Sequence, residues 1–425
     1  MAGPSAPMVV SGKTHGNANV YVAPGDTLTF LDVVTYAGTL FESRNPMDPS
    51  STNHTTPDFA GGRSHVSSMT LPIGMDNSSS NVVKILDIPP SNEDPYSELG
   101  RQRFYNKSDL IITITNNRVI VNFNNNADGT HPTLVPPNSG GVNVGIGGNS
   151  GPGGGGNSGP GSGGINVGLG NSGYSFVNTN VSFYDYREGK QVIGTELDIR
   201  ALTNWLATSG FDVNVRAQAQ TGHGINSIYI NDQRSTSGRL TAIRVANGQY
   251  LPNAGLTIAT PQPLYVKGHF NAPDLGSTNT ASTKAAALVS DAITILSPNW
   301  SDSYTATNTL SSRGATNATV NAAFMSGIVG TTKVGDVGHY SGGVENFPRF
   351  LENWSGSTLT YNGSMVVMFN SRQATNFWVS PGTYYNPPTR KWAFDKNFLE
   401  GGKLPPNTPQ VRKLDRGQWS VVKAN

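Results

Sequence analysis

Two pieces of one stretch decide how the chain is read. The first is Leu256-Thr257-Ile258-Ala259-Thr260-Pro261-Gln262-Pro263-Leu264-Tyr265-Val266-Lys267-Gly268. The second is Ala286-Ala287-Leu288-Val289-Ser290-Asp291-Ala292-Ile293-Thr294-Ile295-Leu296. Each holds short apolar bursts broken by Pro, Gly, Asn or Asp. Alternating residues such as Leu256/Ile258 and Leu264/Val266 share one face of a strand, because successive side chains of an extended chain point to opposite sides. The bursts are too short for helices and too closely spaced for long hairpin arms. A chain that makes a short strand, turns a corner and makes another winds a β-solenoid. The expected fold is mainly β: a solenoid resembling a parallel β-helix, with an α+β insertion and an irregular, aromatic C-terminal cap.

Working outward, the same rhythm appears near the N-terminus at Met8-Val9-Val10, Val20-Tyr21-Val22, Thr27–Leu31 and Val33–Ala37, with a corner at Pro24-Gly25-Asp26. Residues 8–80 are therefore read as a first solenoid part, continuous with the winding of 250–335, and 43–80 as mostly a polar loop. Residues 81–125 form an insertion with a short helix near 92–103. It also carries a hairpin in which Leu110–Thr115 and Arg118–Phe123 flank the turn Asn116-Asn117. Residues 126–173 are Gly-rich and repeat Val142-Asn143-Val144-Gly145 as Ile165-Asn166-Val167-Gly168. Their plain reading is a flexible linker and the sharper one a packed polyproline lattice; deletion of 134–172 should leave the fold intact. Residues 174–250 read as the α+β insertion, with a helix over 195–206. Residues 251–370 are the main solenoid, including a short amphipathic helix at Val344–Trp354, and 371–425 wrap over its end.

Composition excludes several function classes. Charged residues are 13%, about half the usual share, and Gly (50) takes up much of the difference. The formal net charge of +2 provides no basic field for nucleic acid. Cysteine is absent, which removes disulfides and thiolate metal sites. No apolar run approaches the roughly 18–20 residues of a membrane helix. The opening Met1–Pro7 lacks the pattern of a signal peptide. An exported protein is expected, located outside the cell or on its surface, with its export segment absent from this chain.

Several phrases resemble a known group. Gly342–Trp354, Thr360-Tyr361-Asn362-Gly363-Ser364, Pro387–Asp395 and Leu404–Pro409 are similar to segments of PilX-type, pilus-assembly-related bacterial envelope proteins. Thr14–Val20 and Asp185–Lys190 fit the same pattern. The resemblance implies a pilin-like hydrophobic helix, absent here, followed by a β-solenoid ectodomain of unassigned function. It brings no catalytic residues with it. Membrane attachment would come only through that absent segment.

Candidate sites follow from residue chemistry. The seven histidines lack metal-ligand spacing, so no metal site and no cofactor are expected. Carboxylates that could cut a glycosidic bond are Asp274, Asp291 and Asp302, or Asp185 with Glu188, since hydrolysis needs two carboxyls about 5–10 Å apart. The cluster Asp185-Tyr186-Arg187-Glu188 reads more simply as a salt-bridged turn. Trp378, Tyr384, Tyr385 and Trp392 could bind sugar rings through their aromatic faces, or could form the core of the cap. The expectation is a non-catalytic structural or adhesive ectodomain whose partners are cell-surface or pilus components and polysaccharide. The alternatives are a polysaccharide-active β-helix enzyme, a hydrolase or lyase, and a carbohydrate-binding module.

Overall fold

The computed structural model describes residues 7–49, 53–124, 173–335, 337–343, 347–379 and 382–413. The Gly-rich segment, except for Gly173, lies outside them, and so does the expectation about its deletion.

The N-terminal strands are short because corners interrupt them. They are β1 (Met8–Val10), β2 (Thr14–Gly16), β3 (Val20–Tyr21), β4 (Leu28–Phe30), β5 (Val34–Tyr36), β6 (Leu40–Phe41) and β7 (Arg63–His65). Strand β1 pairs in parallel with β4, β2 with β5 and β3 with β6, each residue facing the one 20 positions later. Equivalent side chains consequently stack. The Tyr21 and Phe41 rings lie 4.9 Å apart and those of Phe30 and Phe59 5.3 Å apart. Val22, Leu28, Phe30 and Val34 form a small buried core.

A second unit begins with β8 (Met69–Thr70), α1 (Ser79–Val82), α2 (Phe104–Lys107), β9 (Leu110–Ile114) and β10 (Val119–Phe123). Strands β9 and β10 are antiparallel about Asn116-Asn117, as the turn residues predict. Next come β11 (Val177–Asp185), β12 (Lys190–Asp198), α3 (Ile199–Ala207), α4 (Phe211–Thr221), β13 (Ser227–Asp232), β14 (Leu240–Ala246), β15 (Leu256–Ala259) and β16 (Leu264–Lys267). The chain continues through β17 (Ala286–Ser290), β18 (Ile293–Leu296), β19 (Ala318–Ile328), β20 (Thr332–Val334), β21 (Val337–His339), β22 (Arg349–Phe350), β23 (Thr358–Asn370), β24 (Thr389–Phe394) and β25 (Arg412–Lys413).

Two large sheets result, each parallel over most of its width with one antiparallel pair at an end, β9/β10 in one and β11/β12 in the other. The first has eight strands in the order β10-β9-β13-β15-β17-β19-β23-β24, the second six in the order β11-β12-β14-β16-β18-β22. From β13 to β19 consecutive strands alternate between the sheets, and each pairs in parallel with the next strand of its own sheet. The protein is thus mainly β, with no closed barrel among the described residues. The segment read as an α+β insertion supplies β12, β13 and β14, which are integral members of these sheets.

The alternation seen in the sequence sets the core. Ile228, Ile230, Ile258, Leu288 and Phe324 of one sheet meet Ile243, Val245, Leu264, Val266 and Ile295 of the other. Each such side chain, fully buried, contributes roughly 1.5–3 kcal/mol. The opposite face of the eight-stranded sheet is covered too. Ile111, Tyr229, Val289 and Phe369 pack under Val82, Ile85, Leu86 and Phe104. This double coverage explains why these strands look apolar throughout. Helix α3 starts where the Asp198 carboxylate accepts the Ala201 N–H at 2.8 Å, and it buries Leu202, Trp205 and Leu206 in the inter-sheet core.

The helix expected at Val344–Trp354 does not form over the described residues 347–354. Pro348 disfavours it, and Arg349–Phe350 is instead β22, paired with β18. Phe347, Phe350 and Trp354 have helix-like spacing, yet they reach the core from a strand and the bends around it.

Where the chain turns between sheets, asparagines link successive strands. Asn271 sits in left-handed backbone (φ 51°) just after β16. Its Nδ2 donates to the Asn321 carbonyl at 2.9 Å, and Asn321 Nδ2 donates back to the Asn271 carbonyl at 2.7 Å. Asn362, in register with Asn321, donates to its Oδ1 at 2.6 Å. Asn321→Ala would strip the buried Asn271 carbonyl of its Asn321 amide donor and leave the Asn362 amide with only its bond to the Ser277 carbonyl. We expect a loss of about 1–3 kcal/mol, measured by chemical denaturation, and a loss under 0.5 kcal/mol would contradict this role.

Candidate functional site

The eight-stranded sheet ends at β24, whose outer edge would expose unpaired backbone groups. The N-terminal strands cover it. The Phe394 N–H donates to Ser11 Oγ at 3.2 Å, and Trp392 packs against both the inter-sheet core and the N-terminal core. Gly12 allows the close approach: it has φ 100°, and a Cβ there would lie 2.8 Å from the Phe394 side chain.

The two parts do not fill the space between them. A cleft of about 480 Å³ is bounded by residues 8–15 on one side and by the ends of β19 and β24 and the middle of β23 on the other. Its wall includes Phe347, Tyr361, Met365, Trp392 and Phe394, and its basic residues are Lys13, His15, Arg187 and Arg349. A second lobe of about 410 Å³ continues along β2 and β3, past Asn19, Tyr21, Asn45 and Tyr340. His15 lies in both lobes, its ring held by Thr35 Oγ1 (2.9 Å from Nδ1) and Asn17 Oδ1 (2.7 Å from Nε2).

Beneath the cleft lies a buried ionic cluster. Asp185 Oδ1 accepts the N–H groups of Arg187 and Glu188, both at 2.8 Å, and Oδ2 accepts the Tyr265 hydroxyl at 2.5 Å. The Glu188 carboxylate accepts from Arg349 Nη1 at 2.7 Å and from the N–H groups of Thr375 and Asn376. Arg349 also donates to the Ala374 carbonyl and Arg187 to the Asn376 carbonyl. Burial and the nearby Glu188 raise the Asp185 carboxyl above the usual range. Burial and the neighbouring Arg349 guanidinium push Arg187 down to about 10. The cluster read from sequence as a salt-bridged turn is a turn whose Glu188 pairs with Arg349, and, being buried, it fastens β11 to β22 and to the segment 374–376.

The other carboxylates are scattered and committed to structure. Asp291, fully buried, accepts three backbone N–H groups, from Arg372, Gln373 and Ala374. Asp302 receives both terminal nitrogens of Arg244, at 2.6 and 2.9 Å. Asp274 accepts the Ser282 hydroxyl. No group of His, Asp and Glu arranged to hold a metal occurs among the described residues.

The aromatic residues proposed for ligand stacking separate into two roles. Tyr384 and Tyr385 are buried, stacked on one another at 5.6 Å, with Tyr385 5.8 Å from Phe350. Trp378 is half-buried and donates its indole N–H to the Tyr385 hydroxyl at 3.1 Å. These three hold the tail to the core. Trp392 alone of the four lines the cleft. Arg187, Arg349 and His15 were not singled out from sequence as parts of one site, because only the pairing of β18 with β22 and the docking of β1 beside β24 bring them together.

The chain matches no protein-family model, no curated protein and no solved structure in comparisons with known proteins. No helix among the described residues is long and apolar enough to cross a membrane.

Two measurements probe these assignments. Trp392→Ala should destabilise the protein by about 3 kcal/mol, the low end of the range for emptying a large aromatic site, because its ring is half-buried. An unchanged melting temperature would contradict its role between the two cores. Glu352, fully buried near Lys267 and Arg313 and bonded to Ser297, is pushed up to about 7 by desolvation. Below pH 4.5 both folded and unfolded states carry its proton. Between pH 4.5 and 7 only the folded state keeps it, so ionisation of the unfolded chain drains stability, by at most roughly 3 kcal/mol. Glu352→Gln should remove that fall, and parallel stability–pH curves for the two proteins would refute the assignment.

Proposed function

We propose that the chain is a β-solenoid serving as a non-catalytic structural or adhesive element of a bacterial cell surface, contacting envelope or pilus components and carbohydrate. One observation carries the reading: strands alternate between two sheets while each pairs in parallel with its counterpart one winding later. Such a chain is an elongated scaffold that presents a long face to partners. The resemblance of Gly342–Trp354 and Pro387–Asp395 to PilX-type envelope proteins supports a surface location. Binding is favoured over hydrolysis because Asp291 is engaged by backbone N–H groups and Asp302 by Arg244, and Asp274 stands exposed on the Ser282 hydroxyl. A hydrolase needs one carboxyl protonated and one free to attack or to activate water.

Retention on immobilised plant and bacterial polysaccharides, scored beside a reducing-end assay, tests this. Retention without release of reducing ends is expected. Release of reducing ends at a rate that depends on protein concentration would replace the adhesive reading with the enzymatic one.

A further inference from the structure

We propose that the cleft between the N-terminal strands and β24 binds the uronate residues of an acidic polysaccharide. This rests on the carbohydrate-binding reading above and adds the sign of the ligand's charge. The first lobe is lined by Lys13, Arg187 and Arg349 and by no carboxylate among the described residues, although acidic residues are nearly as numerous as basic ones in the chain as a whole. The basic groups differ in setting. Lys13 is exposed at the rim, whereas Arg187 and Arg349 are only 6% and 4% exposed. Glu188 pairs with Arg349 at 2.7 Å, so the charge a carboxylate entering the lobe would meet is chiefly that of Lys13 and Arg187, the latter held in a partly dehydrated site where Coulomb attraction is stronger than in water. Repulsion between the two guanidiniums, which contributes to the lowered Arg187 value, would be relieved by the anion.

The remainder of the lining selects the ligand's body. Trp392 and Phe394, both half-buried, offer ring surface against which the apolar face of a pyranose can lie. The second lobe is lined by Asn19, Asn45 and Tyr340, and by one carboxylate among the described residues, Asp48, which is paired with Arg44 at 3.2 Å. These amides and hydroxyls suit a hydroxyl-rich chain and would desolvate poorly against the alkyl tail of a fatty acid. Each lobe falls within the range of roughly 300–1,000 Å³ typical of small-ligand sites. The two adjoin at His15, which lines both, so an oligomer fits the pair better than a single ring does.

The test is calorimetric titration of the full chain with trigalacturonate, its methyl ester, maltotriose and laurate. Trigalacturonate should bind, at least tenfold more tightly than its methyl ester or maltotriose, and more weakly as salt rises. Lys13→Glu should weaken binding about tenfold with an unchanged melting temperature, because Lys13 is exposed. Ser364→Trp, placed to fill the first lobe, should abolish it, with circular dichroism confirming the fold. Equal binding of acid and ester, or full affinity in Lys13→Glu, would overturn the proposal. So would tight laurate binding that trigalacturonate does not displace. Retention on neutral polysaccharide without any trigalacturonate binding would sink this inference and leave the carbohydrate reading standing. Failure to bind any glycan would remove both.

Discussion

Everything in this molecule depends on the parallel backbone ladder that runs across the eight-stranded sheet from β9 to β24. Each strand is short, between four and thirteen residues in this run, and would be unstable alone. Pairing in register satisfies its amides and carbonyls, and it also aligns Leu110, Ile228, Ile258, Leu288 and Phe324 as one apolar stripe. A slip of one residue in any pair would turn that strand's stripe outward. The asparagine contacts at 271, 321 and 362 oppose such a slip, since their hydrogen bonds form in a single register.

The same ladder creates the site. A stack of parallel strands must end, and its last strand leaves an open edge. Here the N-terminal strands, first in sequence, cover β24, last in the sheet. Their own apolar core is small, so Trp392 and Phe394 complete the contact. A cleft is left because the N-terminal stack is organised on its own 20-residue spacing and does not extend the β24 ladder residue by residue. The ionic cluster below it carries a real cost: desolvation of Asp185 and Glu188 is offset only by their hydrogen bonds with Tyr265, Arg349 and backbone N–H groups. Such a cluster holds β11, β22 and the 374–376 segment in one arrangement and thereby keeps two guanidiniums at the cleft floor.

The local features of the fold were legible in the sequence. Strand alternation at 256–296, the hairpin at Asn116-Asn117 and the corner at Pro24-Gly25-Asp26 all depend on near neighbours, through side-chain direction and turn chemistry. The helical reading of Val344–Trp354 failed for a related reason. Spacing of three and four residues marks a helix only if nothing else buries those side chains, and here a sheet edge does.

What the sequence by itself determined was the mainly β class and the faces of its strands, because a period of two and the placement of Pro, Gly and Asn act over a few residues. Only the tertiary structure decided that Asp185–Glu188 is buried, that Tyr384 and Tyr385 belong to the core while Trp392 borders a cleft, and that Lys13 and Arg349 face one cavity. Lys13 and Arg349 are separated by hundreds of residues, and what joins them is how β1 docks on a sheet edge, which no local pattern encodes.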